Sequence, residues 1–497
     1  MLSGLDAAAL IGYLIVITGT GIFFSRRNKS LYDYMFGGGR MPWPVIGISL
    51  IATSVSATTF LGNPADTFGH NMTYLMCNVG VFTSILIVNT VFIPRFRRFK
   101  VTSAYEILEQ QFSHRVRLLA SIFYACHLTL RTGILLFGPA IVLAQVFGMN
   151  IYLAIVLMAV LAIIYTYFGG LQAVVWTDVL QFFVLMGGGC IALYYCAVEV
   201  GSLETLMDLA AREGKSKWLD FSWDPSQART LLSAGLIYTV FEVAIRGCDQ
   251  QFVQRYLACK DTRSANLSSL LSAVLGLLVG LIFYWVGAGL YVYFEVAKVR
   301  VLPPDTGINH VFPYFILEVL PAGLTGLLVA AIFAAAMSSL DSAISALANT
   351  TIKDFYRSPK GDDGAQLRSA RRWVILWGIA GTLAAFVCVL GQKSLLTMAL
   401  FVTSLFTGPL LGLFLFAFFR PNTNPRALFA GAIGGMISLL PFSTIAFLPG
   451  DWWEPIYPFS WPWNPVISLG GTFLFTLLIE TWLNWWGRRS RQALPPV

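Results

Sequence analysis

Apolar segments long enough to cross a bilayer recur from residue 7 almost to the C-terminus, and no polar stretch between them could build a core of its own. Crossing the hydrocarbon takes about 20 apolar residues in a helix. Segments of that kind centre near residues 16, 55, 85, 132, 158, 185, 240, 278, 333, 381, 408, 435 and 475. The spacing predicts an all-α membrane protein of about thirteen transmembrane helices, forming one integral membrane domain over residues 1–497. Only 12% of the residues are charged, against roughly 25% in soluble domains, and mean hydropathy is +0.70. So much apolar surface requires lipid as its solvent.

The net charge is +8, and the basic residues cluster in short loops. Arg26, Arg27 and Lys29 form one cluster; Arg95, Arg97, Arg98 and Lys100 another; Arg255, Lys260 and Arg263 a third. Others run from Lys353 to Arg372, then Arg420 and Arg426, then Arg488, Arg489 and Arg491. They fall on alternate sides of the expected spans, and excess Lys and Arg marks cytoplasmic loops. A multi-pass protein of the cytoplasmic (inner) membrane is expected, with its N-terminus outside and its C-terminus in the cytoplasm. The long loop 200–230, with Arg212, Lys215, Lys217 and Arg229, is the exception, and charges in long loops count less. Orientation accounts for the positive balance, so nucleic-acid binding is excluded. The seven cysteines show no CxxC or zinc spacing and the four histidines are scattered. Residues 7–25 read as a first membrane helix rather than a cleaved leader, because their charges follow the apolar run and no small-residue cleavage site appears. Segments 102–112, 203–213 and 308–319 read as non-spanning helices, while the aromatic run 452–463 and Trp482, Trp485 and Trp486 suit interfacial belts.

Ionisable and clustered polar groups at membrane depth are costly and are functional candidates by default. Five stand out. Residues 51–64 (IATSVSATTFLGNP) are rich in Ser, Thr and Asn and end in Gly62 and Pro64, the pattern of a locally unwound helix that makes ion and substrate sites; helix packing by small residues is the plainer reading. In 331–345, Ser338, Asp341 and Ser342 share one helix face, an oxygen surface suited to a hard monovalent cation. Asp178 is a further buried acid or an ordinary acid near a helix start. Arg131 lies deep in its span, where a guanidinium needs a carboxylate or phosphate, supplied by a ligand or by a buried acid. In 242–255, Glu242, Arg246 and Asp249 stand at helical spacing, either self-paired or with Glu242 facing a solute.

Four motifs in order resemble the sodium/solute symporter family, the group of the sodium–glucose and sodium–proline transporters, and within it the bacterial sialic acid transporters. They are FGGGRMPWPVIGISLIATSVSATTF (36–60), GGLQAVVWTDVLQ (169–181), DQQFVQRYLACKD (249–261) and AAIFAAAMSSLDSAISALANT (330–350). The resemblance covers about residues 5–440. It implies the leucine-transporter-type 5+5 inverted repeat, over about 40–200 and 230–420, with one extra N-terminal and two extra C-terminal helices. It implies a sodium site at Ala52, Val55, Ala335, Ser338 and Ser339, and a second at Asp178, Ser338, Asp341 and Ser342. Asp341 stands where several relatives carry Ser or Thr. It implies solute contacts from Ser54, Ser56, Thr59, Asn78, Arg131 and Glu242. Arg131 occupies the position that is Arg in sialic acid transporters and Asn in sugar transporters; Glu242 replaces an Asn, and could either accept sugar hydroxyls or neutralise Arg131.

The expected function is sodium-coupled import, by alternating access, of a small polar solute such as the carboxylated sugar sialic acid. One or two sodium ions would be the coupled ions, the bilayer the surrounding partner, and no obligate protein partner is evident. The alternatives are symport of a neutral sugar, amino acid or monocarboxylate, and, from another class, an intramembrane enzyme using Asp178 and Asp341. Against the enzyme, no nucleophile–base pair or metal motif appears.

Overall fold

The computed structural model describes residues 3–25, 30–304, 306–355, 363–390, 395–442 and 459–492. Regular structure among them is helical, with one isolated bridge between Met41 and Cys259. The helices that matter below are α1 (Gly4–Ser25), α2 (Trp43–Ser54), α3 (Ala57–Gly69), α4 (His114–Phe147), α5 (Ile151–Val200), α6 (Tyr238–Cys248), α7 (Gln250–Ala258), α8 (Thr262–Tyr291) and α9 (Leu324–Thr350). Polar caps start several of them. Ser113, Asn150 and Asp261 accept the first-turn amides of Val116, Tyr152 and Ser264, as N-cap residues do.

Eleven helices among the described residues are long and apolar enough to span a membrane. The bent pair α2–α3 makes a twelfth. The expected count of thirteen is not reached, because the segment near residue 158 offers only the shorter apolar helix Ile151–Ile164. It continues through Gly170, whose φ of 60° and ψ of −168° kink α5. That conformation is open essentially to glycine alone.

α9 is the centre of the bundle: 94% of its span is buried inside the protein, against 17% for α1. A helix apolar all round and buried by protein can carry polar groups only where neighbours satisfy them. α2, α3, α4, α5 and α1 all pack on it. Asp6 of α1 caps its start, the carboxylate accepting the Gly323 and Gly326 amides at 2.7 Å each.

The non-spanning helices are shorter than expected or differently built. Segment 102–112 is helical only over Glu106–Gln111, because Thr102 uses its amide and hydroxyl to hold the Glu106 carboxylate at 2.8 and 2.6 Å and starts the helix there. Leu203–Arg212 forms on a Ser202 cap, and Ile308–Tyr314 continues as a wider turn through Val319. Of the aromatic run, 452–458 lie outside the described residues; Trp461 and Trp463 donate to Tyr74 and Ser233 at 3.1 and 3.2 Å. Trp482, Trp485 and Trp486 are exposed, as a belt requires.

Candidate functional site

Two helices break where the sequence is polar. Between α2 and α3, Val55 (ψ 110°) and Ser56 (ψ 175°) are extended, and the half-helices diverge by 59°. A helix end leaves its last carbonyls without intrahelical donors. Ile51 O still receives the Val55 amide at 2.8 Å. Ala52 O and Thr53 O instead receive hydroxyls from α9: Ser338 Oγ at 2.9 Å and Ser339 Oγ at 3.4 Å. Both hydroxyls also reach Ala335 O, at 3.3 and 3.5 Å. Ala52, Ala335, Ser338 and Ser339 are thus assembled, all buried, with Val55 next along the break. Neutral oxygens this close together suit a hard monovalent cation, which needs oxygen ligands but little charge.

The second break separates α6 from α7 at Asp249, whose ψ is 126°. Its carboxylate caps α7 by accepting the Gln251 amide at 2.8 Å, and it also accepts the Tyr124 hydroxyl of α4 at 3.0 Å. Tyr105 donates to Cys248 O at 3.1 Å, and Gln250 accepts the Ala104 amide at 2.8 Å. The segment before Glu106 is therefore docked on the broken end.

Asp178 is not a helix-start acid: it lies within α5, beyond the Gly170 kink, and is fully buried. Its Oδ2 accepts the Ser49 hydroxyl at 2.5 Å and an Arg255 N–H at 2.9 Å. The same Arg255 nitrogen donates to Ser342 Oγ at 2.6 Å, its Nε to Ser49 Oγ at 2.7 Å and its third nitrogen to Gln251 O at 2.9 Å. Arg255 is not one of the loop arginines expected from the charge pattern. It is 1% exposed in the centre of the bundle, so it adds nothing to the loop charge. Asp341 turns its Oδ1 to the Ser342 amide at 2.6 Å, and Ser342 donates to Ser338 O at 2.7 Å. Thr53 Oγ1 lies 3.2 Å from Ser342 Oγ.

Glu242 does not pair with Arg131. Its Oε2 holds Arg246 Nε at 2.6 Å and its Oε1 accepts the Tyr238 hydroxyl at 2.8 Å. Arg246 donates a second bond to Ser272 of α8 at 3.2 Å. Arg131 is half-buried and makes no ion pair or hydrogen bond with another described residue. Of the other solute candidates, Ser54 donates to Leu50 O at 3.0 Å, Ser56 opens α3, Thr59 stands half-buried in its first turn, and Asn78 donates to Leu75 O at 3.0 Å opposite Gly280 of α8.

The sequence pattern of the sodium:solute symporter family fits residues 34–437. The chain belongs to that family. The symporter is 31% identical over 448 residues to the sodium/sialic acid symporter SiaT of Proteus mirabilis, covering 88% of this chain and 89% of that one. It is 29% identical over 468 residues to the mouse (Mus musculus) sodium-coupled monocarboxylate transporter 2, covering 92% and 73%. Its structure matches a sodium-coupled sialic acid symporter, in a substrate-bound outward-open state, with a TM-score of 0.84 at 28% identity over 96% of this chain and 98% of that one. The nucleobase-cation transporter Mhp1 matches with a TM-score of 0.58 at 14% identity, over 92% and 95%, which bears on the fold alone. The fold is the leucine-transporter type expected, and the activity is sodium-coupled solute symport across a membrane, which removes the intramembrane-enzyme reading.

Three residues of the polar centre were missed from sequence: Arg255, Ser49 and Thr53. A signal for Arg255 existed. It is flanked by Phe252, Val253, Tyr256 and Leu257 in a helix with no other charge, which a loop arginine would not be.

Proposed function

We propose that this symporter imports a carboxylated sugar of the sialic acid (N-acetylneuraminate) kind. The observation that carries the reading is the free guanidinium of Arg131. An arginine at membrane depth needs an anion, and the two acids of the broken helix are engaged elsewhere: Glu242 by Arg246 and Tyr238, and Asp249 by the Gln251 amide and the Tyr124 hydroxyl. The solute carboxylate supplies the missing partner. Tyr238, Glu242 and Asn78, with Ser54, Ser56 and Thr59 at the break, offer donors and acceptors for sugar hydroxyls. Sodium bound by Ala52, Val55, Ala335, Ser338 and Ser339 joins the broken α2–α3 end to α9 and so completes the solute side of the break. The two repeats span about 40–200 and 230–420, with the N-terminus outside, the C-terminus in the cytoplasm, and the chain working in the inner membrane without an obligate protein partner.

Each sodium ion moving down 100 mV supplies about 2.3 kcal/mol, and each tenfold gradient about 1.4 kcal/mol more. A small monocarboxylate is the second reading, since Arg131 alone would satisfy it. A thermal-shift screen of small acids and sugars, with and without sodium, separates them. N-acetylneuraminate should stabilise the purified protein only with sodium, and neutral hexoses should not compete. Equal stabilisation by a neutral sugar or by a two- or three-carbon monocarboxylate would overturn the sugar-acid reading.

A further inference from the structure

The second cation position implied by the resemblance is the place where the geometry and the expectation part. Of its four residues, Asp178 and Ser342 are both bound to Arg255, at 2.9 and 2.6 Å through a single guanidinium nitrogen. Ser342 Oγ is used further. It donates to Ser338 O at 2.7 Å and lies 3.2 Å from Thr53 Oγ1. Ser49, the only hydroxyl that donates to Asp178 among the described residues, also accepts from Arg255, at 2.7 Å. The guanidinium is fixed from its far side as well, by Gln251 O at 2.9 Å one turn earlier on α7. Leaving this position would break all of these hydrogen bonds at once. Arg255 is always charged, so a metal ion entering between Asp178 and Ser342 would meet a like charge already holding both.

We propose that Arg255 is the resident cation of this second position, so that the symporter couples to one sodium ion, the one at Ala52, Ala335 and Ser338, rather than two. Coupling to one sodium makes the turnover of a monoanionic solute electroneutral; coupling to two carries one positive charge per turn. The proposal rests on the anionic-solute reading for its electrical consequence, but not for its ion count.

The experiment is a paired flux measurement in proteoliposomes, with radioactive sodium and N-acetylneuraminate followed together at imposed potentials of zero and −100 mV. One sodium per solute and a rate independent of potential are expected. Two sodium ions per solute, with uptake that rises with internal negative potential, would overturn the proposal. Absence of sodium-driven uptake of any acid would instead sink the proposed solute. Sodium binding to the purified protein, measured by calorimetry without solute, gives the same count independently: one site supports the assignment and two refute it. Asp178→Asn should leave the sodium Hill coefficient near one, and Arg255→Met, if it folds, should raise it. A coefficient near two in the unaltered protein that falls to one in Asp178→Asn would assign Asp178 to a sodium ion instead.

Discussion

Ser338 and Arg131 make opposite demands at the residue scale. Ser338 is fully engaged, its hydroxyl shared between Ala52 O and Ala335 O, and the structure loses only about 1 kcal/mol when such a neutral bond goes. Ser338→Ala should therefore fold and yet lose sodium-dependent uptake. A variant that is still driven by a sodium gradient at the normal rate would remove Ser338 from the ion site. Arg131 has no partner among the described residues, so its truncation breaks no internal bond. Arg131→Ala should keep its Tm while its affinity for an acidic sugar falls roughly 10- to 150-fold, the value of a charge-assisted contact of about 1.5–3 kcal/mol. Arg131→Lys, which keeps the charge and loses the fork, should fall between. Unchanged affinity in titration calorimetry would refute the clamp.

Breaks and kinks decide what each element can do. α2 stops at Ser54 and frees the carbonyls of Ala52 and Thr53; α7 starts on the Asp249 cap; α5 turns at Gly170. A Cβ at Gly170 would stand 2.7 Å from the Tyr34 carbonyl oxygen, and the position has a φ of +60°. Gly170→Ala should cost about 2–4 kcal/mol and lower the Tm in detergent by several degrees. Gly187 lies in the same helix with nothing within 4 Å of an added Cβ. Gly187→Ala should be neutral, or stabilising by up to ~1 kcal/mol. If both variants melt alike, the kink is not held by its backbone conformation.

Transport is a property of the whole molecule, and the two ends of the bundle are latched unequally. At one end Asp354, beyond the end of α9, accepts Arg117 twice, at 2.9 and 2.6 Å, and the Ser103 and Ser121 hydroxyls at 2.9 and 2.7 Å. Its side chain is 0% exposed and that of Arg117 11%. At the other end Arg229 pairs with Asp66 of α3 with 34% and 17% exposure, and Lys215 caps the end of α3 by donating to Phe68 O at 2.7 Å. Removing one member of a fully buried pair costs about 3–5 kcal/mol, and the contribution falls toward about 0–1 kcal/mol as a pair becomes exposed. The Asp354 end is thus the more firmly closed. Asp354→Asn should shift the population toward opening there, seen as faster alkylation of a cysteine placed at Ser121 and a broadened spin-label distance between Ser113 and Lys353. Unaltered accessibility would mark the cluster as structural rather than as a gate.

The sequence by itself determined that the chain is a helical membrane protein, because so much apolar surface has no other stable solvent. The Gly170 kink and the Asp249 cap emerged only in the structure, but the sequence also marked the break after residue 51, since hydroxyl residues, Gly and Pro act through local backbone geometry. The Glu242–Arg246 pair was open to reading for the same reason, being four residues apart on one helix. Which charges meet across helices was decided only by tertiary structure. Arg255 reaches Asp178 and Ser49 across 77 and 206 residues of chain; its apolar flanks marked it as different from a loop arginine but could not name those partners. The faces that α2, α5, α7 and α9 turn to one another select that contact. The same packing gives Glu242 to Arg246 and leaves Arg131 without an ion pair among the described residues.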